Sequence, residues 1–92
     1  MIPLVITPNG LEFPIFKKSW GSLDPMERLK LMQDAVGGYI EPISIMRYGD
    51  WSYIVVNEEG VLKDLPLNKK ASMIAGMDIL GIVVLCNFED LE

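Results

Sequence analysis

The rhythm of apolar and polar positions changes several times along the chain, and each change predicts an element. "MIPLVIT" is apolar and rich in β-branched residues, and the "PNG" after it is the kind of turn that closes a hairpin. Leu11, Phe13 and Ile15 alternate with their neighbours in "LEFPIF", which predicts a return strand that Pro14 confines to a sheet edge or a short ladder. Beyond the connector "KKSWGS" the period lengthens. Leu29, Met32 and Val36 recur at three- and four-residue spacing in "DPMERLKLMQDAVGG", with Leu31 and Ala35 widening the face. Asp24 is placed to cap this helix, Pro25 suits its first position, Glu27 is the acid of a capping box, and Gly37 with Gly38 ends it.

Alternation returns in "YIEPISIMRY", where Ile43 and Ile45 stand between polar or flexible neighbours, and in "WSYIVV" beyond a "YGD" turn. Pro42 again marks an edge or a bulge. "NEEG" predicts a turn in which Asn57 and Gly60 supply unusual backbone angles, and "LKDLPL" a linker or very short strand. Asn68 then caps a short helix, "KKASMIA", stopped by Gly76. "DILGIVVLCNF" is nearly all apolar and predicts a central, covered strand, while "EDLE" reads as a solvated, flexible acidic tail at residues 89–92. The order is β-β-α-β-β-α-β. Residues 1–92 therefore predict a single α+β domain, a mostly antiparallel sheet with two helices on one face.

Composition narrows the partners. Ninety-two residues, half of them apolar, supply one core and leave apolar surface for a partner subunit, so a homo-oligomer is expected. A net charge of −5 argues against generic DNA or RNA binding, and 13 dispersed acids are too few to imitate a nucleic-acid backbone. The basic pairs Lys17-Lys18 and Lys69-Lys70 permit a small anion site. The single cysteine, Cys86, has no partner for an internal disulfide and no histidine to activate it, and reads as a buried core thiol. The longest apolar run, "ILGIVVLC", is too short to span a bilayer, and no basic segment with a long apolar stretch opens the chain. A soluble, cytoplasmic protein is expected.

Catalytic chemistry finds no footing. Zero histidines and one cysteine exclude the usual zinc and iron ligand sets, and the acids Asp50, Glu58 and Glu59 lack the alternation of a calcium loop. No metal and no cofactor are expected. Ser19, Ser22, Ser44, Ser52 and Ser72 have no activating base, and Glu58 and Glu59, adjacent on a turn, point apart. "VGGYI" follows a helix instead of preceding one, so it is a stop and not a dinucleotide fingerprint. The expectation is a protein without catalytic residues, not an enzyme.

Lys69 and Lys70 pose the sharpest question, because cations in the first turn of a helix oppose its dipole by about 0.3–1 kcal/mol. A bound anion reverses that sign. The site expected on this ground has Asn68, Lys69 and Lys70 at the phosphates of a nucleotide and Tyr39 or Trp51 on its base, with Asn57 beside them and Tyr48 and Tyr53 as further stacking surfaces. The alternative is that Glu58, Glu59 or Asp64 neutralises the lysines while the aromatics belong to the core or an interface.

"LMQDAVGGYIE", followed by "VVNEEGVLKDLPLNKKAS" and an apolar closing strand, resembles a family of small domains of unknown function carried by bacteriophages and bacterial mobile elements. The shared blocks are Val-Gly-Gly-Tyr-Ile-Glu at 36–41, Asn-Glu-Glu-Gly at 57–60 and Leu-Pro-x-Asn at 65–68. The chain departs from the pattern in its longer "FKKSWGSLDPMERL" connection and its acidic tail. The resemblance transfers no catalytic residue and implies a phage accessory protein in a bacterial cytoplasm. In that setting the first expectation is an oligomer that sequesters an anionic small molecule, such as a cyclic-nucleotide immune signal. The second is an inhibitor or adaptor that binds a host enzyme, with Trp20 and Trp51 as anchors. The third is a virion component.

Overall fold

The capping box foreseen at Asp24 forms in full. In the computed structural model, which describes residues 2–16 and 19–92, the Glu27 N–H donates to Asp24 Oδ1 (2.9 Å) and the Asp24 N–H to Glu27 Oε1 (3.1 Å). Two donors that no helical carbonyl can reach are thereby satisfied, and α1 (Pro25–Val36) starts there. It stops at Gly37, whose φ of 83° is cheap only for glycine and whose N–H returns to Gln33 O at 2.8 Å. Helix α2 (Lys69–Ala75) is likewise capped by Asn68 and ended by Gly76. The Lys17-Lys18 pair, expected in a connector and as an anion site, lies outside the described residues.

Among the described residues five strands make one sheet: β1 (Leu4–Ile6), β2 (Glu12–Pro14), β3 (Ile40–Tyr48), β4 (Trp51–Asn57) and β5 (Val83–Cys86). Their order is β2-β1-β5-β4-β3, with every neighbouring pair antiparallel. The α+β class and the sequence of elements are as expected. The placing of the helices is not. Val5, Val55, Val84 and Cys86 point to the face covered by Met32 and Val36 of α1, whereas Ile6, Ile54, Val56, Val83 and Leu85 point to the face that holds Ala71 of α2. Successive residues of a strand face opposite sides, so the two helices cover opposite faces and the sheet is the middle layer. This corrects the one-face arrangement, and it explains why β5 is apolar and buried at all four positions.

Both open edges carry a proline at an outward-facing position. Thr7 N–H donates to Leu11 O and Ile15 N–H to Pro3 O, each at 2.9 Å. The alternation between these bonds turns the backbone of Phe13 toward β1 and that of Glu12 and Pro14 outward. On the other edge Glu58 N–H donates to Tyr39 O (3.0 Å), and the register Ile40↔Asn57 then turns Pro42 and Ser44 outward. A register shift between Ser44 and Tyr48 further distorts β3. Each edge thus lacks a donor where a new strand would bind, and extension of the sheet by another chain is disfavoured.

Three local expectations change. The final strand is only Val83–Cys86, because Gly81 (φ 80°) bends the chain and Leu80 instead bridges Leu67. Asn57 and Gly60 do not supply left-handed angles; among the described non-glycine residues only Asp64 (φ 51°) has a positive φ. The turn is held by the Asn57 side chain, whose Oδ1 accepts from Glu59 N–H at 2.8 Å. Residues 89–92 are not a solvated tail. Phe88–Leu91 form a 3-10 turn whose Asp90 is buried, its Oδ1 accepting from Trp20 Nε1 at 2.7 Å.

Candidate functional site

Asn68 has no exposed surface, and each of its side-chain polar atoms is committed inside the protein. Its Nδ2 donates to Ile6 O (3.0 Å) and Gly81 O (2.9 Å), and its Oδ1 accepts from Ala71 N–H (3.1 Å). Its own N–H donates to Ile79 O at 2.8 Å. One side chain therefore ties β1, the start of α2 and the bend before β5 together, and no donor remains for a phosphate. Asn57 is buried in a matching role: its Nδ2 donates to Val36 O (3.1 Å), satisfying a carbonyl at the end of α1.

The lysines part company. The Lys70 ammonium sits against Glu12 Oε2, a carboxylate on β2 58 residues earlier in the chain, and this contact raises its pKa above the ordinary lysine value. Glu12 thus takes the neutralising role expected of Glu58, Glu59 or Asp64. Of these, Glu59 stands 3.9 Å from Lys63. Lys69 is exposed and makes no ion pair among the described residues. Tyr39 is 68% exposed, but it lines a separate groove of about 410 Å³ with Gln33, Asp34, Glu59 and Lys63. Trp51 packs on the core beneath α2, and Trp20 is buried in the opposite core, so neither is a free anchor. Of the six residues expected at one site, Asn68, Lys69, Lys70 and Trp51 lie at or beneath α2, whereas Asn57 and Tyr39 lie at the end of α1.

A different grouping emerges beside α2. Met46, Arg47 and Tyr48, at the end of β3, face Lys70, Met73 and Ile74 of α2 across an open groove of about 360 Å³. Met46 is 90% exposed and Met73 84%, an unusual outlay of large apolar side chains to water. Lys69 lies four residues before Met73, on the same side of the helix. Arg47 is steadied by its Nε, which donates to Gly49 O at 3.0 Å. Tyr48 was expected only as a stacking surface, and Met46, Arg47 and Met73 were missed. The available signal was the spacing of Lys69 and Met73 together with the outward position of Met46 beside inward Ile45.

Cys86 has no exposed surface, and burial, aided by nearby Asp90 and Glu89, pushes its thiol up to about 12. From an ordinary value of 9.0, that leaves about three orders of magnitude less thiolate at mildly alkaline pH. A thiol reagent at about pH 8 should therefore leave the native protein unmodified and label it on unfolding; rapid native labelling would contradict the burial. A folded pKa above the unfolded one also fixes the sign with pH. The stabilising effect is full below about 9 and is lost as pH rises toward about 12.

Among the described residues, no three His, Cys, Asp or Glu side chains gather as a metal site would require, and no helix is long and apolar enough to cross a membrane. A three-layer α+β domain with two highly exposed methionines, Met46 and Met73, lining a groove beside one short helix is the class that the geometry defines. The chain belongs to the family described as a domain of unknown function (DUF3846), whose model matches residues 4–92. No curated protein and no solved structure matches it. The blocks at 36–41 and 57–60 meet where Asn57 bonds Val36 O and Glu58 N–H donates to Tyr39 O. The third block ends on Asn68. The asparagines of these blocks hold the fold together.

Proposed function

We propose that this chain is a non-catalytic binding module that acts on another protein, and that in the phage or mobile-element setting implied by its resemblance the partner is a host protein. The groove between Met46 and Met73 carries this reading. Exposed thioethers repack around different side chains at little cost, which suits them to binding a foreign surface. The groove is open and near the lower end of the roughly 300–1,000 Å³ of pockets that enclose small molecules. Sequestration of a nucleotide has less support, because Asn68 has no free donor, Lys70 is matched by Glu12, Trp51 packs on the core and Tyr39 lines a separate groove.

Immobilised protein exposed to a bacterial lysate should retain a host protein at near-equal stoichiometry. A panel of cyclic nucleotides should leave its thermal midpoint unchanged. Retention of no protein, combined with a rise in midpoint for one nucleotide, would overturn the reading in favour of sequestration.

A further inference from the structure

We propose that the groove beside α2 takes an acidic amphipathic segment of the partner, an apolar side chain entering between Met46 and Met73 while a carboxylate meets Arg47. The binding-module reading above is the premise on which this rests. Arg47 is the informative residue. Its Nε is anchored on Gly49 O, and its terminal nitrogens have no protein acceptor among the described residues. A planar fork held at one end is pre-organised for a bidentate carboxylate.

The surroundings point the same way. Lys70 lines the same groove, and Lys69, four residues before Met73, stands on the same side of α2. Two of the chain's eight basic residues thus line one groove of a protein whose net charge is −5, with a third beside it on α2. The acids at hand are Glu12, already engaged by Lys70, and Asp50, which makes no ion pair with Arg47 among the described residues. With Lys70 matched by Glu12, Arg47 and Lys69 supply the uncompensated positive charge, which steers an acidic segment toward the groove.

A second copy related by a twofold axis at this patch fits poorly. A twofold interface here would set the patch against itself, bringing Arg47, Lys69 and Lys70 against their own equivalents. Addition of a strand to β3 is opposed by Pro42 and by the shift between Ser44 and Tyr48. The remaining occupant is a side chain or helix face that brings both apolar surface and carboxylates.

The test is selection of a short random-peptide library on the folded protein, followed by affinity measurement on the enriched peptides. Sequences pairing Leu, Phe or Met with Asp or Glu are expected. Met73→Glu and Arg47→Glu should each weaken binding at least about tenfold. Both positions are exposed, so the variants should melt within about 4 °C of the wild type. Raising salt from about 50 mM to about 300 mM should loosen binding several-fold. Enrichment of basic peptides, or of none, or affinities indifferent to both substitutions, would overturn the proposal. So would concentration-dependent self-association abolished by Met73→Glu, which would make this face a contact between copies. A lysate partner still retained by Met73→Glu and Arg47→Glu would leave the binding-module reading intact and refute this site alone.

Discussion

Asn68→Ala should cost about 3–5 kcal/mol of folding stability, a large part of the roughly 5–14 kcal/mol open to a domain of this length. The substitution removes the cap of α2, which alone contributes about 0.5–2 kcal/mol. It also strands Ile6 O and Gly81 O, two carbonyls in surroundings too buried for water to replace the lost donor, at about 1–3 kcal/mol each before any relaxation. Thermal unfolding should shift down by roughly 15–30 °C, and a shift of under about 5 °C would mean that these bonds are not holding the fold. Asn68→Asp separates the cap from the donors. The introduced carboxyl keeps an acceptor for Ala71 N–H but turns a charged oxygen toward two carbonyls. Its folded pKa must then lie above the unfolded value of about 3.9. The stability of this variant should consequently recover as pH falls, since only the protonated form is tolerated and can donate to one of the carbonyls. Equal loss at all pH values would show that the cap matters and the donors do not.

That double role marks where the pattern of residues stops being informative. The cap itself was legible, because Asn before an apolar run is a local signal, as were Asp24, Pro25 and Glu27 at α1. Its bond to Ile6 O spans 62 residues and leaves no local trace. The same holds for Lys70 and Glu12, 58 residues apart. The lysine's odd placement was visible; the carboxylate that answers it was not. Pro14 and Pro42 announced edge strands, and both proved to be edges. The two-sided burial of β5 was also written in "VVLC", for a strand apolar at every position needs cover on both faces. That requirement was incompatible with two helices on one face, a conflict that the local reading left standing because helix placement depends on the long connections. The groove escaped for a related reason. An exposed methionine looks like core until its neighbours' facing is known, and the register shift near Met46 hides that facing.

The second large effect is expected at the chain's end. Asp90 accepts from Trp20 Nε1 at 2.7 Å and from Asn87 N–H at 2.8 Å, and both Trp20 and Asp90 are buried. Asp90→Ala should therefore destabilise the protein by about 2–4 kcal/mol, combining the loss of a charge-assisted bond with an indole N–H left dry and unpaired. Asp90→Asn retains an acceptor of the same shape and should lose only about 1 kcal/mol. Trp20→Phe removes the donor from the other side, and its combination with Asp90→Ala should be less damaging than the sum of the two, by about 1–3 kcal/mol. A further signal distinguishes an opened end from a globally weakened one. Leu91 packs on the core that also contains Trp20 and Cys86. If the 3-10 turn undocks in Asp90→Ala, Cys86 should react with a thiol reagent under conditions in which denaturant unfolding is negligible, and Trp20 emission should move to the red. Unchanged thiol protection with a stability loss below about 0.5 kcal/mol would mean that the terminal turn contributes nothing, and the burial of Cys86 would then have to be ascribed to α1 and the sheet alone.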